Sequence, residues 1–137
     1  MLVLGSAVVA AAPARAAACK ESPDRPVCVA DLQLDKKIAL QPDGSLVVTA
    51  RLECDPGWES SDLTVTVTQG QTQGDGLLLT SVPCDGSFHA VQLAVAPGVG
   101  SFQKGNAQMN GQFLVFNLAS GDPSAAHAQT KGQVRSA

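Results

Sequence analysis

The sequence predicts an all-β fold, a two-sheet antiparallel sandwich of seven or eight short strands, and three observations carry that expectation. Val, Leu and Thr alternate through most of the chain beyond residue 18, which is the period-2 pattern of half-buried strands. Pro, Gly and Asp recur as turn signals roughly every ten residues, so connections are short and neighbouring strands antiparallel. Four cysteines, Cys19, Cys28, Cys54 and Cys84, all follow an apolar leader, and an even number in an exported chain reads as two disulfides.

Residues 1–18 hold fourteen apolar side chains and a single charge, Arg15. An apolar run followed by small residues is the layout of a secretory signal, and it is too short to span a bilayer. Cleavage fits after Ala16 or after Ala18. Release outside the cell is the expectation, with lipid anchoring at Cys19 as the alternative. Removing the leader takes the formal net charge from −3 to −4. A mildly acidic chain without a basic patch is a poor partner for nucleic acid or an anionic membrane. The organisation expected is a signal over 1–18, a disulfide clip and first strand over 19–44, and the rest of one sandwich domain over 45–137.

Within the domain, residues 29–40 form the first strand, with Leu32, Leu34, Ile38 and Leu40 on its apolar face and Lys36-Lys37 marking a kink or bulge. Gln41-Pro42-Asp43-Gly44 is a turn. Residues 45–54 alternate most cleanly, placing Leu46, Val48, Ala50, Leu52 and Cys54 inward and Val47, Thr49, Arg51 and Glu53 outward. Residues 55–62 read as a polar loop around Trp58, and residues 63–69 as a strand with Leu63, Val65 and Val67 inward and Thr64, Thr66 and Thr68 outward. The glycine- and glutamine-rich residues 70–76 read as a connection, residues 77–84 as a strand ended by Pro83, and Asp85-Gly86 as a tight turn. Another strand follows over 88–95, with His89, Val91, Leu93 and Val95 on one face, and Pro97-Gly98-Val99-Gly100 breaks the chain. A long strand over 104–119, or a strand with a bulge near Gly111, then a turn at 120–124 and a weak strand over 126–134 complete the domain.

Four cysteines allow three pairings. The arrangement favoured is Cys19 with Cys28 as an N-terminal clip and Cys54 with Cys84 as a bridge across the core. Zinc is disfavoured because no C-x-x-C pair exists and neither His89 nor His127 has ligand spacing to a cysteine. Glu53, Asp55, Glu59 and Asp62 cluster in sequence without a calcium-loop spacing, so no metal and no cofactor are expected.

Three stretches, Val65-Thr66-Val67-Thr68-Gln69, Val82-Pro83-Cys84-Asp85-Gly86 with His89 three later, and Phe102 with Gly105 and Ala107, carry a family likeness. Over about residues 45–134 the chain resembles small exported immunoglobulin-like sandwich domains of actinobacteria, a group without an assigned activity. The resemblance implies fold and export and supplies no catalytic residues. Tyrosine is absent and Trp58 stands only four positions beyond Cys54, so an antibody-type domain is excluded.

The function expected is a secreted, non-catalytic interaction or structural module, monomeric, whose partner is an extracellular protein or glycan. Trp58 and Asp55 would act as a contact anchor, unless the ring folds back over the sheet edge, and Thr64, Thr66 and Thr68 would offer a hydrogen-bonding surface. The alternative is an extracellular protease inhibitor presenting residues 54–62. An enzyme would need a cleft joining His89 to a carboxylate such as Asp85.

Overall fold

The computed structural model describes residues 29–137, so the leader, the cleavage and lipidation sites and the expected Cys19–Cys28 clip lie outside the described residues. Seven strands follow in order: β1 (Ala30–Leu40), β2 (Leu46–Cys54), β3 (Trp58–Gln69), β4 (Thr72–Leu79), β5 (His89–Val99), β6 (Gly105–Asn117) and β7 (Pro123–Ser136). Their hydrogen bonds close a ring in the order β1-β2-β5-β4-β3-β6-β7. The all-β expectation therefore holds, but the two separate sheets do not: the chain forms a closed barrel.

Two strands that pair on both edges produce the closure. β4 pairs with β3 along its length and with β5 through Gln73–Asp75, joining the two layers on one side. On the other side β1 pairs with β2, then at its C-terminal end also runs parallel to β7, with Lys37↔Gln133 to Leu40↔Ser136 in register. Strands that switch layers through bulges are the ordinary way to turn such a corner. The β1 bulge falls between Leu34 and Ile38, where Lys36-Lys37 interrupts the apolar pattern, and inserts two residues relative to β2. An insertion of two keeps Leu34 and Ile38 on the same face, where a slip of one would invert them.

The core follows the alternation read from the sequence. Leu46, Val48, Ala50, Leu52 and Cys54 of β2 and Leu63, Val65 and Val67 of β3 are buried together with Leu32, Ile38, Val95, Met109, Phe113 and Val115. Trp58 joins that face because β3 carries one extra residue between Ser60 and Asp62, and a single-residue bulge shifts the inward parity from even to odd positions. Residues 55–62 are thus a three-residue turn, Asp55–Gly57, followed directly by strand, and the loop expected there is absent.

Glycine explains the other corrections. Residues 70–76 are mostly strand, because Gly74 and Gly76 point inward where β5 crosses beneath: a Cβ on Gly74 would stand 2.2 Å from the Ala96 carbonyl oxygen. Glycine here permits close backbone approach and does not mark a loop. Pro97-Gly98-Val99 likewise stays inside β5, with Gly98 as an extra residue between the Gly74↔Pro97 and Gln73↔Val99 pairs. Gly111 is regularly paired on both sides, so of the two readings of this stretch the long unbulged strand holds; the glycine leaves room for Leu32 and Leu34 to pack across β6. β4 ends at Leu79, and residues 80–88 are a loop that still packs Val82 and Cys84 against the core. The last strand spans 14 residues rather than a short weak segment, and it pairs with β6 over most of its length.

Candidate functional site

Cys54 and Cys84 are disulfide-bonded with their Cα atoms 4.5 Å apart. The bond joins the end of β2 to the 80–88 loop rather than spanning the core, and the Gly86 N–H donates to the Cys54 carbonyl at 2.9 Å beside it. Ser60 Oγ donates to the Thr80 and Val82 carbonyls at 3.3 and 3.2 Å, anchoring the start of the same loop to the β3 bulge.

At the end of that loop, His89 Nε2 lies 3.0 and 3.1 Å from the two carboxylate oxygens of Asp85. This hydrogen bond, with that from the Ser87 N–H, holds the Asp85 carboxyl below the ordinary aspartate value of 3.8. The pair is solvent-exposed and lines neither of the two clefts beside β1 and β7. Glu53, Asp55, Glu59 and Asp62 are not gathered, and among the described residues no three His, Cys, Asp or Glu side chains are placed to hold a metal. Glu53, expected on the outer face, is buried opposite Asp31, whose Oδ1 accepts the Leu32 N–H at 2.8 Å.

Trp58 is half-buried and packs against the core, and Asp55 accepts the Trp58 N–H through its carbonyl at 3.2 Å, closing the turn. The threonines are more telling, because the register places each in a straight row across three strands: Thr64↔Gln112↔His127, Thr66↔Asn110↔Gln129 and Thr68↔Gln108↔Lys131. The result is an outer face of hydroxyls and amides on β3 and β6, with His127 and Lys131 ending two of its rows on β7 and the exposed Leu77 of β4 flanking Thr64. Points on it repeat about 6.6 Å along a strand and about 4.8 Å across strands. Thr66 Oγ1 donates to Asp75 at 2.7 Å, extending the middle row to β4. Gln69 is turned to structure, donating to the Gln103 and Asn106 carbonyls and accepting the Gln103 N–H.

Beside this face β1 and β7 part. Their parallel pairing covers only the last four residues of β1, and the gap is a cleft of about 520 Å³ between residues 32–37 of β1, Thr49 and Arg51 of β2 and residues 128–130 of β7. A smaller cleft of about 290 Å³ adjoins it, sharing Asp35, Lys37 and Thr49 and adding Arg135. No basic patch exists along the chain, yet folding brings Lys36, Lys37, Arg51 and Arg135 to these two clefts. Sequence reading missed this site; the available signals were the lysine pair inside an apolar strand and Arg51 as the single cation on β2.

No helix among the described residues is long and apolar enough to cross a membrane. No known protein-family model and no curated protein matches the chain. Among solved structures it is similar to murine CRIg at 10% identity and a TM-score of 0.44, over 79% of this chain and 98% of that one. A likeness at that level assigns no function.

Proposed function

We propose that the protein is an exported, non-catalytic binding module of the immunoglobulin-like sandwich kind, closed at both edges, that holds an extracellular glycan on the outer face of β3, β6 and β7. The observation that carries this reading is the set of three straight rows headed by Thr64, Thr66 and Thr68. Protein-binding hot spots rely on Trp, Tyr and Arg set in desolvated pockets, and the rows contain none of these. Hydroxyls and amides exchange hydrogen bonds readily with sugar hydroxyls. Each such bond is worth only about 1 kcal/mol net, so a repeating polymer that makes many of them suits the repeating face. Trp58, packed inward, supports the barrel end. The short Asp55–Gly57 turn offers no protruding segment for a protease, and nothing in the geometry favours inhibition.

The test is a pull-down on a panel of insoluble and immobilised polysaccharides, comparing the wild type with Thr64→Val/Thr68→Val and Gln112→Ala. Retention by at least one polysaccharide, weakened in both variants, is expected. Retention that is unchanged in the variants, or none at all beside capture by a protein, overturns the reading. Export is checked on the same secreted material by intact mass, with cleavage after Ala16 or Ala18 expected and free thiols at Cys54 and Cys84 contradicting it.

A further inference from the structure

We propose that the parted β1–β7 seam seats the carboxylate of an acidic saccharide, so that the glycan held on the polar face is a uronate-bearing one; this rests on the glycan reading of that face. Residues 29–137 carry six Lys or Arg against ten Asp or Glu, and four of the six cations line the two clefts of the seam. A surface that is acidic elsewhere and cationic at one concave place concentrates an anion there. The cleft's volume lies in the range of about 300–1,000 Å³ that suits small ligand groups.

The parts of the cleft are chemically distinct. Arg51 presents a planar guanidinium that matches a carboxylate in two parallel hydrogen bonds, and Lys36 and Lys37 add point charges. Asp35 is the single acid in either lining, and its carboxylate already accepts the Lys37 N–H at 3.1 Å inside the bulge. Ala128 is the half-buried apolar residue of the lining, and Leu32 and Leu34 close the cleft from beneath as part of the core. Arg135 is held by Gln133, which is held in turn by Asn106, at 3.1 Å in each case. Gln129 belongs both to the cleft and to the middle row of the polar face, so one chain can run from the hydroxyl-binding rows into the seam without leaving the surface.

The test uses the secreted, disulfide-intact protein with oligogalacturonide and its fully methyl-esterified form, which keeps the hydroxyls and loses the charge. Titration calorimetry should find the acid form bound at least about tenfold more tightly, with the gap narrowing as salt rises. Lys36→Gln/Lys37→Gln and Arg51→Gln should each reduce the preference while leaving binding of the ester intact. Equal affinity for the two forms, or a preference untouched in these variants, overturns the seam site and leaves the polar-face reading standing. Binding of neither form to wild type also overturns the seam site, while the polar-face reading is decided by the polysaccharide panel. Unchanged thermal midpoints show that the variants, all at solvent-exposed positions, are folded.

Discussion

The barrel closes at two seams, and they are built differently. At the β4–β5 seam the strands touch backbone to backbone: Gly74 and Gly76 remove the side chains that would separate them, and the Cys54–Cys84 disulfide fastens the loop joining these two strands. At the β1–β7 seam the strands run together for four residues and then diverge. The β1 bulge carries its lysines into the opening, and Gly132 admits the Lys36 carbonyl, 2.7 Å from where a Cβ would stand. The first seam closes on glycine, and the second opens into the cleft of about 520 Å³ lined by Lys36, Lys37 and Arg51. Closure by a switching, bulged strand makes a concave place as a by-product, and the proposed ligand site lies there.

The largest expected effect of breaking this contrast comes from removing its covalent part. Cys54→Ala/Cys84→Ala releases a loop of 30 residues and should cost about 3–4 kcal/mol in the chain-entropy picture, read as a fall in the urea midpoint. A loss near zero would mean that the β4–β5 seam closes without its staple. Next come the glycines. Gly74→Ala presses on the Ala96 backbone within a regular crossing and should cost about 2–3 kcal/mol, whereas Gly132→Ala meets a bulge that can yield and should cost about 1–2 kcal/mol. Equal losses, or the reverse order, would erase the distinction between a tight seam and a yielding one.

Much of the core's content was legible in the sequence, and the form of the first seam was not. Alternation in residues 46–54 and 63–69 identified the core face residue by residue, since burial of one face dictates a period of two. Gly74, Gly76 and Pro97-Gly98 were misread as connections, because glycine marks close backbone approach and turns with the same letter, and only the partner strand decides which. Barrel closure was hidden for the same reason: an edge that finds a second partner leaves no mark on its own alternation. Of the site, the outward threonines could be read locally. The cationic seam could not, because Lys37, Arg51 and Arg135 come from three strands that only the register brings together.

The smallest effect concerns the Asp85–His89 pair beside the disulfide loop. Asp85 titrates below 3.8 when folded and at about 3.8 when unfolded, so its stabilising contribution is complete above that value and disappears as pH falls through the lower folded one. Asp85→Asn should therefore lower the urea midpoint slightly at pH 7, by an amount that shrinks as the pH is taken below 3.8. A difference that persists in acid would place the pair's contribution elsewhere than in the ionised carboxylate.

Hydrogen–deuterium exchange of the secreted protein, with and without oligogalacturonide, tests most directly whether the parted seam is where the molecule binds. The β1 edge at residues 33–36 and the facing β7 residues 128–130 should exchange faster than the paired β3 and β6 residues in the free protein, and should slow on addition of the oligomer, while residues 72–79 and 96–99 stay as they were. Protection confined to the β4–β5 seam, or no protection at residues 33–37 and 128–130 under saturating ligand, would contradict the account.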